Sequence, residues 1–236
     1  DTCGDEYPSK TLKVLYEYSQ RGERGCAELL LKRFKDETLY NHDTKEWLKY
    51  DNGVWVKDSI SNITWRSQKF LLEVFPEVAR LAEGQEFRLK QLARDDSDNE
   101  LRLKREASRY KKYAQSFDKT KKAITYKKTS DQILALLSTE EDIGTATTDF
   151  DQHPLLINLQ NGYYDLEQGQ FYDSDPKKRF LCQFRTNFIP EAKPEKWIKF
   201  LETIFEGDRE RIEYIQKLVG ISLTGKADFQ AVIFCF

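Results

Sequence analysis

The chain is organised around the segment Leu155-Leu-Ile-Asn-Leu-Gln-Asn-Gly-Tyr-Tyr-Asp-Leu166. Its first five residues form a short apolar run of strand type. Asn161-Gly162 then predicts a tight turn, because both residues tolerate positive φ. The chain returns as a partner strand and turns again at Glu167-Gln-Gly169 into Gln170-Phe-Tyr172. The segment therefore predicts a small antiparallel β-meander, and by itself it indicates no chemistry.

A second meander is predicted between Thr38 and Asp58, where three strand-like runs are separated by two polar turns, the second being Asp51-Asn-Gly53. This meander contains Trp47 and Trp55. Exposed indoles could stack on nucleic-acid bases. Core packing is the commoner use of tryptophan, and we favour it here.

Most of the remaining chain is predicted to be helical, because its apolar residues recur every three or four positions. Ser61 or Asn62 is expected to cap the helix that follows the second meander, and Pro76 is expected to break or restart that helix. Ser130 is expected to cap a short helix, and Glu140–Asp151 is expected to be a loop. The predicted helices cover Leu12–Ser19, Cys26–Phe34, Ile63–Leu92, Leu101–Lys128, Ile133–Leu137, Glu195–Phe205 and Arg209–Val219. We therefore expect an α+β fold that is mainly α-helical with small antiparallel β-meanders.

The composition fits one large domain, or one domain with part of a second, because 39% of the 236 residues are hydrophobic and 33% are charged. The net charge is −2, so any attraction to nucleic acid has to come from local clusters of charge. No apolar run approaches membrane-spanning length, and no signal peptide opens the chain. We expect no membrane partner and a cytoplasmic location.

The four cysteines are far apart and show no metal-binding or redox spacing, so free thiols are expected; they are Cys3, Cys26, Cys182 and Cys235. His153 has no ligand partner at a suitable spacing and is interpreted as structural. Methionine is absent, from which we expect an excised piece of a longer protein.

The stretch from Leu101 to Lys128 is strongly basic, with eleven Lys or Arg residues against the acids Glu106 and Asp118. An apolar stripe at helical spacing runs through it: Leu103, Ala107, Tyr110, Ala114 and Phe117. A helix docked by that stripe presents cations on its opposite face, where they can neutralise phosphates. The candidate nucleic-acid-binding residues are Arg102, Lys104, Arg105, Arg109, Lys111, Lys112, Lys119, Lys121 and Lys122. A solvated helix face is the competing interpretation, and the sequence alone leaves both open.

The central meander and other pieces of the chain occur in an order that is known from one family. The pieces are Lys49-Tyr-Asp-Asn-Gly-Val-Trp55 upstream and, downstream, Trp197-Ile-Lys-Phe-Leu-Glu-Thr-Ile-Phe205, Asp208 and Leu218-Val-Gly-Ile-Ser-Leu-Thr-Gly225. Together they resemble the segment that precedes the helicase module in phage and plasmid primases and in poxvirus-type primase–helicases. The resemblance runs from about Lys49 to Phe236.

The resemblance implies two regions, with a boundary near Pro190 and Pro194. Residues 1–193 would be a helicase-associated connecting domain. Residues 194–236 would be the first two helices and first strand, Ala231–Phe236, of a truncated superfamily 3 helicase module. This C-terminal end resembles the start of a P-loop α/β domain of AAA+ type.

The resemblance also implies a parent protein that is an ATP-driven, ring-forming helicase, with ATP and Mg²⁺ as its cofactors. Its partners would be single-stranded or forked DNA and further copies of itself in the ring. The present residues contain no G-x-x-x-x-G-K-[ST] loop, so we expect no ATP hydrolysis from them. We assign this chain no cofactor, no metal and no catalytic residue.

Three functions remain open at this point. The first is a DNA-binding or DNA-guiding domain of a viral, phage or mobile-element primase–helicase. The second is a protein-interaction collar that assembles the helicase ring without DNA affinity of its own. The third is a metal-dependent nuclease that uses the acidic run Asp95–Glu100, although consecutive acids on a solvated turn rarely converge on a metal ion.

Overall fold

The computed structural model describes residues 6–58 and 62–226. The chain divides into two compact units. The first comprises residues 1–48 and 57–145, and the second comprises residues 49–56 and 146–236. The fold is mainly helical α+β with small sheets, which confirms the predicted fold class.

The first unit is built from five helices and a small sheet. Its helices are α1 (Glu6–Gln20), α2 (Glu23–Phe34), α3 (Asn62–Asp95), α4 (Glu100–Ile124) and α5 (Lys127–Ser138). Its strands are β1 (Thr38–Asn41) and β4 (Gly144–Thr145), together with parts of β2 (Glu46–Asp51) and β3 (Val54–Lys57). The core consists of the apolar faces of the helices, including Leu12, Leu30, Phe75, Phe117 and Leu137.

The helix α3 continues through Pro76, so the predicted break is wrong. Proline has no N–H to donate and costs a helix interior about 3 kcal/mol. Side chains next to the proline are buried in the core, namely Phe75, Val78 and Ala79. This packing holds both halves of the helix in line. The Asp58 carboxylate accepts a hydrogen bond from the Ile63 N–H at 2.8 Å, whereas the predicted cap at Ser61 lies outside the described residues.

The second meander forms as predicted, but a fourth strand joins it. The sheet order is β3-β2-β1-β4, and β4 pairs in parallel with β1. The Tyr40 N–H donates to the Ile143 carbonyl at 2.8 Å, and the His42 N–H donates to the Thr145 carbonyl at 2.9 Å. The expectation that Glu140–Asp151 is entirely a loop is therefore wrong. The sequence did not reveal β4 because a strand of two residues is too short to show a periodic pattern.

The start of α5 also differs from the prediction. The helix begins at Lys127, and Ser130 lies inside it rather than at its cap. The Ser130 hydroxyl donates to the Ile124 carbonyl at 3.1 Å and accepts from Gln68 Nε2 at 2.9 Å. Its role is a long-range contact, which local sequence does not reveal.

The second unit contains the central meander as a three-stranded antiparallel sheet, in the order β5 (Leu156–Leu159), β6 (Gly162–Asp165) and β7 (Gln170–Tyr172). Leu159 pairs with Gly162, so the turn residues are Gln160 and Asn161 rather than the predicted Asn161-Gly162. Gly162 is needed because a Cβ there would lie 2.2 Å from the Tyr172 carbonyl oxygen. The Asn161 side chain exchanges two hydrogen bonds with the backbone of Phe188.

The tip of the β2–β3 hairpin belongs to this second unit. Its turn, Asn52-Gly53, has positive φ at both residues, 48° and 92°, as a tight hairpin turn requires. Asn158 is buried and donates from Nδ2 to the Gly53 carbonyl at 3.0 Å and to the Cys182 carbonyl at 2.9 Å. Trp55 Nε1 donates to the Pro176 carbonyl at 2.9 Å. Residues far apart in sequence are thus held together by buried hydrogen bonds.

Two α-helices follow in the described part of the second unit, α6 (Glu195–Ile204) and α7 (Arg209–Ser222). Pro194 directly precedes α6, as predicted. Asp208 caps α7, as predicted, by accepting hydrogen bonds from the N–H groups of Glu210 and Arg211. The predicted strand Ala231–Phe236 lies outside the described residues. Within the described ranges, no helix combines the length and apolar character needed to cross a membrane.

Candidate nucleic-acid interface

The candidate interface is on α4, which is firmly held in the first unit. The Phe117 ring is fully buried, 6.2 Å from the ring of Phe75 on α3. Tyr113 stacks on Tyr16 of α1 with 4.3 Å between ring centroids. The Ser116 hydroxyl accepts a hydrogen bond from Gln20 Nε2 at 2.7 Å. These contacts fix the rotation of α4 about its axis and therefore the direction in which its other face points.

The buried face of α4 confirms the predicted apolar stripe. Four of its five residues are buried, namely Ala107, Tyr110, Ala114 and Phe117. Leu103, near the α3–α4 turn, is only half-buried. The structure adds Tyr113, Thr120 and Ile124 to the buried face. Burial raises the pKa of Tyr113 in spite of the opposite effect of the Arg109 charge, so its hydroxyl stays neutral at physiological pH.

The nine candidate cations are all exposed to solvent: Arg102, Lys104, Arg105, Arg109, Lys111, Lys112, Lys119, Lys121 and Lys122. At 3.6 residues per turn, Arg105, Lys112 and Lys119 fall on nearly one line along the helix. We call these three residues the cationic row. With a rise of 1.5 Å per residue, neighbours in the row are about 10.5 Å apart along the helix axis, and the row is about 21 Å long.

The other candidates lie around this row with one exception. Lys104, Lys111 and Lys122 flank it on one side, and Arg102 and Arg109 flank it on the other, as the helical spacing requires. Lys121 points to the opposite side of α4 and is exposed in the last turn of the helix. The structure therefore brings eight of the nine predicted cations to one broad face.

These cations are poorly neutralised by the protein itself. Only Lys104 forms an ion pair, with Glu100, among residues 6–58 and 62–226. The exposed faces of other helices are neutralised by short-range pairs. These include Lys69–Glu73, Arg80–Glu77 and Lys90–Glu86 on α3, and Arg211–Asp208 and Lys217–Glu213 at α7. The outer face of α4 thus carries positive charges that, apart from Lys104, are not paired with acidic side chains of the described residues.

The acidic run Asp95–Glu100 forms the turn between α3 and α4, as predicted. Asp96 accepts hydrogen bonds from the Asn99 N–H at 3.2 Å and from Asn99 Nδ2 at 2.9 Å. These hydrogen bonds lower the pKa of the Asp96 carboxyl. Nowhere in the described parts of the chain do three or more His, Cys, Asp or Glu side chains form a group that could hold a metal ion.

The two tryptophans of the meander do not form an exposed platform. Trp55 is only 3% exposed, which confirms the core interpretation for this residue. Trp47 is half-buried against the core of the first unit and lies 5.0 Å from the ring of Tyr40. The strongly exposed aromatic residues of the first unit are instead Trp65, Phe87 and Tyr126. The exposure of Trp65 was not predicted, although its helical spacing places it away from Ile63, Leu71 and the rest of the α3 core face.

A separate cleft of about 290 Å³ lies in the second unit. Its lining includes His153, Asn158, Cys182 and Gly225. His153 is exposed, and its carbonyl accepts a hydrogen bond from the Leu156 N–H at 3.1 Å. Cys182 is a free, exposed cysteine, whereas Cys26 of the first unit is free and buried.

The described residues form a helix-rich α+β fold with one cationic helix face. In the family comparison, residues 27–206 match the family described as D5 N terminal like. The match covers well over half of the chain, which therefore belongs to this family. Such domains are found in primase–helicase proteins of phages and poxviruses, ahead of the helicase module, so the predicted resemblance is confirmed.

The family match continues past Pro194 to residue 206. The expected boundary between residues 1–193 and 194–236 stays a prediction. A comparison with curated proteins finds no match for this chain.

Proposed function

We propose that this chain is the DNA-binding or DNA-guiding domain of a replicative primase–helicase, and that the outer face of α4 contacts DNA. One observation carries the proposal. Eight exposed cations share one helix face, and seven of these eight have no ion-pair partner among the described residues. The net charge of the whole chain is −2, so this face is a local exception and not a general basic surface.

The dimensions of the face fit a nucleic-acid backbone. The cationic row extends about 21 Å, which corresponds to about six nucleotides at 3.4 Å per step of one duplex strand. Flanking cations on both sides widen the face, so that phosphates displaced from the row still meet a positive charge. Neutralising phosphates with Lys and Arg releases condensed counterions, and this release is the main source of affinity in such contacts.

The competing interpretation is an ordinary solvated helix face. Such faces carry charges of both signs at spacings of three or four residues, which pair with each other. The faces of α3 and α7 follow this rule. The face of α4 departs from it, with a single pair at its first turn. Like charges on one face are destabilising, and bound phosphates would relieve that repulsion.

Fluorescence anisotropy with labelled single-stranded, forked and duplex DNA tests the proposal. The test variant is Arg105→Glu, Lys112→Glu and Lys119→Glu together. The matched control is Lys13→Glu, Lys35→Glu and Lys45→Glu together, which reverses three exposed charges elsewhere in the first unit and gives the same net charge. We expect the row variant to bind at least about tenfold more weakly and to flatten the log–log salt slope on duplex DNA by about 3.

Two results would refute the proposal. One is the absence of binding by the unaltered chain at low salt. The other is an equal loss of affinity in the control variant, because that would reflect net charge and not the α4 face.

Under this proposal, nucleotide chemistry belongs to the helicase module of the parent protein, with its ATP and Mg²⁺, and the parent acts in the cytoplasm. The printed sequence has no G-x-x-x-x-G-K-[ST] loop, and phosphoryl transfer needs that lysine and its metal ion. We expect no ATP hydrolysis by these 236 residues in a phosphate-release assay, with or without DNA.

A second candidate function is an assembly collar for the helicase ring. It is favoured by α6, which exposes large apolar side chains, including Trp197, Phe200 and Ile204. The rings of Trp197 and Phe200 are stacked, 5.9 Å apart. Light scattering over a range of concentrations distinguishes the two functions, since a collar forms oligomers without DNA, and the change Phe200→Glu would dissociate them.

A further inference from the structure

Three helices of the first unit converge at one hydrogen-bonded point. Gln68 on α3 donates from Nε2 to the Ser130 hydroxyl on α5 at 2.9 Å. The same hydroxyl donates to the carbonyl of Ile124, the last residue of α4, at 3.1 Å. We call this point, together with residues 121–130 and the first turns of α3, the α4–α5 junction.

Two exposed aromatic side chains flank the junction. Trp65 precedes Gln68 by three residues and is 60% exposed, and Tyr126 precedes Ser130 by four residues and is 68% exposed. Each aromatic residue is therefore about one helical turn from the Gln68–Ser130 hydrogen bond. Of the described residues, none stacks a ring on Tyr126. The Trp65 ring has the Lys69 ammonium 5.0 Å from its centroid.

The junction backbone is ordered although these rings are exposed. The Tyr126 N–H donates to the Ala123 carbonyl at 3.1 Å, and the Tyr126 carbonyl accepts from the Ser130 N–H at 3.2 Å. The Thr125 hydroxyl donates to the Lys122 carbonyl at 2.7 Å. Tyr126 is thus held on a fixed backbone, and little conformational freedom would be lost if its ring bound a flat ligand.

Exposed cations accompany both rings. Lys69 lies over the Trp65 ring, and four further exposed lysines lie within five residues of Tyr126 in the sequence, namely Lys121, Lys122, Lys127 and Lys128. Lys127 and Lys128 occupy the first turn of α5, which contains no acid and where the helix dipole is already positive. Lys122 also ends the face that carries the cationic row. A phosphate backbone lying along α4 would therefore lead directly to the junction.

We propose that the α4–α5 junction is a base-stacking site for single-stranded nucleic acid, with Tyr126 and Trp65 as its stacking surfaces. This inference rests on the proposed function and adds the form of nucleic acid that the site selects. Bases in a duplex are stacked on one another and do not reach a protein ring, whereas every unpaired base offers a flat face. Aromatic rings interleaved with cations are the common design of single-strand binding surfaces.

The test uses anisotropy with labelled oligothymidine and with a blunt duplex at one salt concentration. The variants are Trp65→Ala and Tyr126→Ala, with Trp65→Phe and Tyr126→Phe to preserve a ring. The control is Phe87→Ala, because Phe87 also lies on α3 and is 65% exposed. Stacking contributes enough per base that each alanine variant should bind oligothymidine about tenfold more weakly or worse. Duplex binding, the phenylalanine variants and the control should change less than about twofold.

The outcomes separate this inference from the proposed function. If the alanine variants bind oligothymidine normally while the Arg105, Lys112 and Lys119 variant is impaired, the stacking site is refuted and the proposed function stands. If the unaltered chain binds neither DNA, both fail. Equal losses on duplex and single strand, or losses in the phenylalanine variants as large as in the alanine variants, would also refute stacking.

Discussion

Cys26 lies in α2 with only 2% of its surface exposed. Burial, with a smaller effect of the Glu23 charge, raises the pKa of its thiol from 9.0 to about 12. In the unfolded chain the thiol ionises near the lower value. The neutral thiol therefore favours the folded state fully below about pH 9, and this contribution is lost as the pH rises towards 12.

We predict that the free energy of unfolding falls between about pH 8 and pH 10.5, and that Cys26→Ala makes this fall smaller. Burial also raises the pKa of Tyr50, Tyr113 and Tyr163, so part of the alkaline loss remains in the variant. Urea unfolding at the two pH values measures the effect. An unchanged pH dependence in Cys26→Ala would contradict the assignment, whereas a thiol reagent that labels Cys182 but not Cys26 in the folded protein would support it.

Single residues show why the sequence predicted some contacts and missed others. Asn161-Gly162 was expected to turn the central hairpin, yet Asn52-Gly53 is the pair with positive φ at both positions. Both pairs have the same local sequence signal. In the central hairpin Leu159 pairs with Gly162, so Gly162 lies in β6 and not in the turn. Only glycine fits there because β7, which begins eight residues later, passes close to it.

At the level of elements, two helical glycines in very different surroundings give a matched test. Gly84 lies in α3, and a Cβ added there would meet no atom within 4 Å. Gly25 lies in α2, and a Cβ there would lie 1.9 Å from the Tyr18 carbonyl oxygen.

We predict that Gly84→Ala raises the free energy of unfolding by about 0.5 to 1 kcal/mol, because alanine loses less backbone entropy in a helix. Gly25→Ala should lower it by about 1 to 3 kcal/mol, since the clash is with rigid backbone. Thermal and urea unfolding of the two variants measure both values. A stabilising Gly25→Ala would show that α1 and α2 do not approach as described.

The α4–α5 junction allows a second test with opposite signs. Lys121 and Lys122 are in the last turn of α4, where the helix dipole favours cations, and Lys127 and Lys128 are in the first turn of α5, where it disfavours them. We predict that Lys127→Gln with Lys128→Gln stabilises the fold by about 0.5 to 1 kcal/mol, and that Lys121→Gln with Lys122→Gln destabilises it by a similar amount.

Both double variants should bind oligothymidine more weakly, because each removes two cations from the same site. Urea unfolding and anisotropy on the same samples give the two readouts. If Lys127→Gln with Lys128→Gln weakened binding and also lowered stability, the lysines would have a structural role that the contacts of α5 do not show.

Periodicity predicted the helices well where one face is continuously buried, as in α4. It failed where a short element depends on a distant partner, as with β4. The break predicted from Pro76 itself was wrong because the packing of its neighbours in the core holds the helix together. For the candidate site, the cationic residues were readable from the sequence because their spacing matches the helical period. The exposed rings of Trp65 and Tyr126 were not predicted, because exposure depends on which neighbouring helices cover each side chain.

At the scale of the whole molecule, the second unit includes one short segment whose sequence neighbours on both sides belong to the first unit. Residues 49–56 are separated in sequence from the rest of that unit, which begins at residue 146. Trp55 belongs to this piece; its N–H donates to the Phe180 carbonyl at 2.8 Å, and its ring lies 5.3 Å from that of Tyr50. The core of the second unit is therefore incomplete without an insert from the N-terminal half.

We predict that a chain of residues 146–226 alone lacks a cooperative unfolding transition. Without Trp55 its packing site is empty, and without Gly53 the buried Asn158 amide loses one of its hydrogen-bond acceptors. Joining residues 46–57 to its N-terminus through a flexible glycine-serine linker should restore the transition. Circular dichroism during urea unfolding measures both chains. A cooperative transition in the chain without residues 46–57 would show that the hairpin tip is dispensable.

The interleaved path has a consequence for synthesis in the cell. Trp55 and its hydrogen-bond acceptor at Pro176 are separated by 121 residues. At a translation rate of roughly 5 to 20 residues per second, the hairpin tip leaves the ribosome about 6 to 24 s before its acceptor does. During that interval the Trp55 indole of the nascent β-hairpin is exposed and can be bound by chaperones. The rate of translation through residues 56–176 therefore sets how long the nascent chain depends on chaperones.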